Sequence, residues 1–134
     1  NATIHTNGRK IEASKFFKGM FETVLKKGEL IEAIEFQIPD KSSYKKHPNP
    51  ASRYAIVGVY VAKYKKDINV AVTGAKAVVY NDKSLSKALS NNFSSLAIQN
   101  MELDSSDMNS DIHASAEYRA SLVVTQAKKA VDAC

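Results

Sequence analysis

The sequence predicts an α+β fold in which helices pack on one face of an antiparallel sheet of three to four strands. Residues 54–73 contain two apolar, β-branched runs on either side of a short polar turn, the pattern of a β-hairpin. Residues 113–133 instead place an apolar side chain every three or four positions, which is the spacing of one helical face. Strands that follow one another directly, with a helix after them, favour antiparallel pairing.

The chain is long enough for one domain. Of its 134 residues, 44% are hydrophobic and 25% are charged, which is typical of a chain with a packed core. We expect a single domain over residues 3–134 and take Asn1 and Ala2 for the remnant of an expression tag. No run reaches the roughly 18 apolar residues that a membrane span needs, and no signal peptide is apparent.

Charge and cysteine content narrow the classes of protein further. The 19 basic and 14 acidic residues leave a net charge of +5, but the lysines form no block with interleaved aromatic residues, so nucleic-acid binding is not predicted. The lone cysteine, Cys134, excludes an internal disulfide framework and a multi-cysteine metal site. These features predict a cytoplasmic protein.

The first 40 residues predict a hairpin, a helix and a strand. Residues 3–6 and 9–11 form the hairpin across the turn Asn7-Gly8, and residues 34–38 alternate apolar and polar side chains as a half-buried strand does. Between them, helical spacing predicts a helix from Ala13 to Val24, with the alternative that Gly19 breaks it into one turn and an irregular approach to Gly28. Its apolar face consists of Ala13, Phe16, Phe17, Met20, Phe21 and Val24.

The remaining elements follow a basic segment. Residues 41–53 are rich in Lys, Ser and Pro and predict a loop. The hairpin at 54–73 turns at Lys65-Lys66-Asp67, and residues 77–80 add a third strand. A helix is indicated around Leu85, a long connection covers 91–110, and the terminal helix over 113–133 has an apolar stripe made of Ala116, Ala120, Val123, Ala127 and Val131.

No catalytic constellation is apparent. His5, His47 and His113 are too far apart in sequence for a metal-binding motif, and the five glycines are too scattered to cradle a phosphate. Glu29, Glu32 and Glu35 are better explained as a solvated strand face than as paired acid and base. Phe16, Phe17 and Phe21 are taken first as core, with the alternative that one ring edge lines a planar aromatic ligand.

Six segments resemble the C-terminal domain of the medium, FAD-binding subunit of carbon monoxide dehydrogenase. In chain order they are FFKGMFETVL (16–25), GELI (28–31), IP (38–39), SRYAIVGV (52–59), VTGA (72–75) and DIHASAEYR (111–119). They resemble that domain's opening, its two long strands and the start of its last helix. The resemblance covers the chain from Thr3 almost to its end.

The resemblance implies a component of a molybdenum hydroxylase, the group that includes the xanthine dehydrogenases. In these oxidoreductases a molybdopterin centre in a large subunit oxidises substrate, [2Fe–2S] clusters in a small subunit relay electrons, and FAD in the medium subunit passes them to an acceptor. The phosphate-gripping glycines of that subunit belong to the FAD-binding domain that precedes this one. We therefore expect a domain that helps to enclose the flavin and is inactive in isolation.

The resemblance also implies which residues approach the flavin. Ile31 matches an aliphatic residue that packs on the isoalloxazine ring, a lysine of the family's loop falls at Lys45 or Lys46, and Tyr54 ends that loop. None of them would be an acid or a base. As alternatives, Ile31 is plain core and the lysines are solvated.

Two departures separate the chain from the xanthine-oxidising branch. Phe21 stands where that branch has a basic residue, and Ser52 and Arg53 stand where it has acidic ones. This difference favours the carbon monoxide dehydrogenase-like branch and argues against NAD-linked chemistry. The alternative function is a non-catalytic protein-interaction or oligomerisation module.

Overall fold

A computed structural model describes residues 2–65 and 67–134. Asn1, expected to belong to a tag remnant, and Lys66, expected in a turn, lie outside the described residues. The chain divides into two compact units, Asn1–Ile38 (unit 1) and Pro39–Cys134 (unit 2). The single domain expected over residues 3–134 remains a prediction. Ala2 is the first residue of a strand in unit 1.

Unit 1 is built mainly from short strands. Its elements are β1 (Ala2–Thr6), β2 (Lys10–Glu12), a 3₁₀ turn (Ala13–Lys15), β3 (Phe17–Gly19), β4 (Glu22–Thr23) and β5 (Ile31–Phe36). β1 lies between β2 and β5 with antiparallel pairing on both sides, which confirms the first predicted hairpin. β3 and β4 form a separate two-stranded ribbon. Among the described residues of this unit, Ile4, Ile11 and Phe16 form the buried hydrophobic cluster.

The predicted helix over Ala13–Val24 is wrong. A single 3₁₀ turn occupies its start, and the chain then forms the β3–β4 ribbon, with Phe21 in the left-handed region at φ 59°. Gly19 weakens a helix by about 1 kcal/mol relative to Ala, and the small sheet of unit 1 offers no core that could cover a long apolar stripe. Phe16 is buried as predicted, but Phe17 and Phe21 are exposed.

Unit 2 contains a four-stranded antiparallel sheet in the order β6-β7-β8-β9. Its elements are β6 (Lys41–Pro48), β7 (Ala55–Lys63), β8 (Ile68–Thr73), β9 (Tyr80–Asn81), α1 (Lys83–Asn91), a 3₁₀ turn (Ser95–Ile98) and α2 (Ala116–Asp132). The predicted hairpin is present as β7 and β8, with Val59 opposite Val72 and Val61 opposite Val70. Both predicted helices are present, and α2 begins at Ala116, three residues after the predicted start at His113.

Two predictions about unit 2 are corrected. Most of the supposed basic loop at 41–53 is strand β6, which can hold lysines and a terminal Pro48 because it is an edge strand. The third predicted strand, 77–80, is reduced to the two residues of β9. Gly74 adopts φ 82° and turns the chain out of the sheet before that strand can extend.

The core of unit 2 lies between one sheet face and the helices. Val57, Val59 and Val61 of β7 and Val70 and Val72 of β8 are fully buried on this face. They pack with Leu85 and Leu89 of α1 and with the apolar stripe of α2. The predicted α+β class, with helices on one face of an antiparallel sheet, is confirmed. No helix among the described residues is both long and apolar enough to cross a membrane.

Candidate functional site

The second face of the unit 2 sheet, which we call the open face, carries aromatic and basic side chains. Side chains alternate along a strand, so Gly58 and Tyr60 of β7 point away from the face that holds Val57 and Val59. Across the ladder, Tyr44 lies opposite Tyr60 and Lys46 lies opposite Gly58. Both tyrosine rings are exposed. The open face therefore offers two phenol rings beside an ammonium group.

Gly58 gives Tyr44 its place on this face. A side chain at position 58 would meet the hydroxyl of Tyr44 and would lie 2.9 Å from Cγ2 of Thr73. The Tyr44 ring thus lies over the backbone of β7 at the point where that strand lacks a side chain. The alternation Ser42, Tyr44, Lys46 was the sequence signal for this arrangement, but the Lys- and Pro-rich composition of the segment concealed it.

The two predicted lysines do not share a face. Lys45 is opposite Val59, so it lies on the helix-covered side, where it is half-buried. Lys46 lies on the open face, and its Nζ donates a hydrogen bond of 2.9 Å to the carbonyl oxygen of Arg53. Of the two candidates for the loop lysine, the geometry favours Lys46 as the one available to a ligand.

Residues 49–54, which we call the Tyr54 loop, have a defined backbone. The Asn49 amide donates to the Tyr54 carbonyl at 2.7 Å, and the Arg53 amide donates to the Asn49 carbonyl at 2.9 Å. The Asn49 side chain also accepts from the amides of Ala51 and Ser52. Arg53 has φ 64°. The side chain of Tyr54 is 81% exposed and is presented by an ordered turn.

Ile31 lies in unit 1, where it is the first residue of β5 and is exposed rather than part of the buried cluster. It belongs to what we call the apolar surface of unit 1. The members of this surface are Phe17, Met20, Phe21, Leu30, Ile31, Ile34, Phe36 and Ile38, all exposed. Eight exposed large apolar side chains are many for 38 residues. The predicted role of Ile31 stays a prediction.

Glu29 is the charged residue that sequence reasoning misplaced. It lies in the turn before β5, and its side chain is only 7% exposed. Its carboxylate accepts hydrogen bonds from Arg9 at 2.8 and 3.0 Å, from the Thr6 hydroxyl at 2.8 Å and from the Lys26 amide at 2.8 Å. Glu32 and Glu35 are exposed, as expected, but Ile34, Phe36 and Ile38 are exposed as well, so the predicted buried face of this strand is wrong. Glu29 therefore holds the turns of unit 1 together.

This network predicts acid sensitivity of unit 1. The Arg9 hydrogen bond, followed by the Lys26 amide, lowers the pKa of Glu29 from 4.5 to about 2. A lowered pKa in the folded state stabilises above pH 4.5, and this stabilisation is lost as the pH falls from 4.5 towards 2. The unfolding free energy of unit 1 is measured from its NMR signals in urea at several pH values. In the native chain this free energy should fall as the pH decreases from 4.5 towards 2, and in Glu29→Gln its slope against pH should be flatter. The exposed Glu32→Gln is the control, and equal slopes in all three chains would contradict the prediction.

Among residues 2–65 and 67–134, no group of three or more His, Cys, Asp or Glu side chains could hold a metal ion. Two of the three histidines make other side-chain contacts. His5 pairs with Glu35 at 2.9 Å, and His47 lies edge-on to Tyr118. What the described residues offer a ligand is thus an aromatic and cationic surface.

Solved structures similar to this chain include two of CO dehydrogenase. The chain is similar to reconstituted CO dehydrogenase from Oligotropha carboxidovorans, with a TM-score of 0.77 and 19% identity. It is also similar to the Cu,Mo-CO dehydrogenase in its cyanide-inactivated form, with a TM-score of 0.71 and 18% identity. Each match covers 98% of this chain and 51% of the other, so the chain spans about half the length of those chains. The predicted carbon monoxide dehydrogenase-like fold is confirmed.

The sequence comparisons add no further relative. No family model matches the chain. No curated protein matches it either.

Proposed function

We propose that this chain is the C-terminal part of the FAD-containing subunit of a molybdenum hydroxylase similar to carbon monoxide dehydrogenase. The observation that carries the proposal is the fold match over 98% of the chain to CO dehydrogenase chains. The six sequence segments that resemble the medium subunit support the same conclusion. The lone cysteine suits the reducing cytoplasm in which we place the enzyme.

The open face fits the ring of a flavin. A planar, largely apolar ring is recognised by aromatic and aliphatic surfaces, and a cation stabilises negative charge at its polar edge. Tyr44 and Tyr60 supply the rings, and Lys46 supplies the cation. When bound, FAD supplies electron transfer between one-electron carriers such as [2Fe–2S] clusters and the final acceptor.

Each predicted site residue then has a role in holding the cofactor. The resemblance assigns Ile31 an apolar contact with the isoalloxazine ring that keeps water from it, and it assigns Tyr54 a contact with the flavin from the end of its loop. Lys46 places its ammonium near the polar edge of the ring, and Lys45 supports β6 from the helix side. None of these groups has to accept or donate a proton, so the chain contributes no catalytic residue to the reaction.

The apolar surface of unit 1 supports a covering partner. We assign that role to the FAD-binding domain that precedes this one in the same subunit, because the chains it resembles have about twice its length. The iron–sulfur small subunit and the molybdenum large subunit complete the proposed complex. Phosphate binding is left to the preceding domain, since the five glycines here do not cluster.

The test is the flavin content of the polypeptide that the gene encodes. We expect it to carry FAD with a flavin absorbance spectrum, and we expect Ile31→Asp to weaken FAD binding about tenfold or more, because a carboxylate would face an apolar ring. Ile112→Asp, the same change at an isoleucine of unit 2 that is 96% exposed where Ile31 is 45% exposed, is the control and should keep its flavin. A folded but colourless native polypeptide would contradict the proposal.

A protein-interaction or oligomerisation module is the second candidate, and the apolar surface of unit 1 is the observation that favours it. This module would self-associate through that surface without any flavin. Sedimentation of the colourless polypeptide, compared with its Phe36→Asp variant, separates the two functions. Association that the substitution abolishes would favour the module.

A further inference from the structure

A buried arginine lies beneath the Tyr54 loop. Arg119, in the first turns of α2, is 4% exposed. Its Nη2 donates to Oδ2 of Asp111 at 2.6 Å, forming an ion pair. Burying a cation is costly unless it is paired and hydrogen-bonded, so this arginine has to be held by its surroundings. The same guanidinium lines a cavity of about 260 Å³ together with Asn49, Ser52 and Tyr54 of the loop.

The guanidinium also joins two strands at their ends. Its Nη1 donates to the Ile56 carbonyl at 2.7 Å and to the Gly74 carbonyl at 3.1 Å. Ile56 is the second residue of β7, two residues after Tyr54, and Gly74 directly follows β8. A planar guanidinium can serve several acceptors at fixed angles, which a lysine ammonium on its flexible stem cannot do. Arg119 therefore fixes the point where the Tyr54 loop enters the sheet.

We propose that Arg119 is a positioning residue for the flavin-facing side chains of unit 2, acting through the backbone of the Tyr54 loop. This inference rests on the proposed function. The loop is held at its exit by Arg119 through Ile56, and at residue 53 by Lys46 on the open face. Its internal bonds, made by Asn49, fix its shape but not its place on the sheet. Arg119 sets that place from the buried side.

Hydrogen exchange of the 134-residue chain tests the positioning role. We expect Arg119→Met to accelerate exchange of the Asn49 and Arg53 amides about tenfold more than that of the β8 amides. Val123→Ala is the matched control, since it also removes buried atoms from α2 but touches no loop carbonyl. Its exchange should rise evenly across unit 2. If Arg119→Met fails to fold, Asp111→Asn removes only the charge of the pair and should give a weaker change of the same pattern.

FAD affinity of the encoded polypeptide tests the link to the flavin. We expect Arg119→Met or Asp111→Asn to weaken FAD binding several-fold while Val123→Ala leaves it unchanged. Even acceleration of exchange throughout unit 2 would overturn the positioning role, and unchanged FAD affinity with a loosened loop would overturn the link. If the native polypeptide binds no FAD, the proposed function fails, and the exchange pattern alone then decides whether Arg119 positions the loop.

Discussion

We expect Gly74→Ala to lower the free energy of unfolding of unit 2 by about 3 kcal/mol or more. Gly74 has φ 82°, a conformation that an L side chain rarely adopts. A Cβ atom there would also lie 2.5 Å from the Ile56 carbonyl oxygen and 2.8 Å from that of Ala55. Both are backbone atoms at the start of β7, so the strand itself would have to move. The substitution would also disturb the carbonyl that Arg119 binds.

Urea unfolding followed by tyrosine fluorescence measures this effect in unit 2 alone. The chain has no tryptophan, and all six tyrosines lie in unit 2. Gly58→Ala is the matched control, because the new methyl group would meet mainly the side chains of Tyr44 and Thr73, which can rotate away. We expect it to cost about 1 kcal/mol. Equal losses in the two variants would show that the close backbone approach at Gly74 is unimportant.

The second large effect is expected from Leu89→Ala, at about 3 kcal/mol. Leu89 is fully buried and packs α1 on the valine face of the sheet. Truncation removes three carbon atoms from a packed core and leaves a cavity that the surrounding strands cannot fill. The same fluorescence measurement gives the change in unfolding free energy.

Leu96→Ala is the control for this substitution. The Leu96 side chain is 69% exposed, so the same truncation should change stability by less than about 0.5 kcal/mol. A Leu89→Ala chain that unfolds at the same urea concentration as Leu96→Ala would contradict the core described for unit 2.

The parts of the fold that sequence patterns predicted are those whose periodicity and core agree. β8 and α2 each bury one regular set of apolar side chains, so a period of two or of about 3.6 residues identified them. β7 is buried at most of its positions, and its nearly continuous apolar, β-branched run identified it. Residues 13–24 have helical spacing, but their unit has no core large enough to bury it. Residues 41–48 have loop composition, yet an edge strand needs only one neighbour and tolerates charge.

The candidate site was predicted less completely than the fold. Tyr54, Ile31 and the lysine pair came from the resemblance, while the positions of Tyr44 and Arg119 depend on pairings between residues far apart in sequence. Such pairings have no local signal. The choice between Lys45 and Lys46 likewise required the register of β6, since a shift of one residue exchanges the two faces.

The small buried cluster of unit 1 has a consequence for how the polypeptide matures. With three buried hydrophobic residues, unit 1 removes far less apolar area from water than unit 2 does, so its intrinsic stability is lower. Its amides should open first in the native chain, and a protease should cut there before it cuts in unit 2. Any polypeptide that covers the apolar surface would raise this local stability, so the lifetime of unassembled chains in the cell would be set by unit 1.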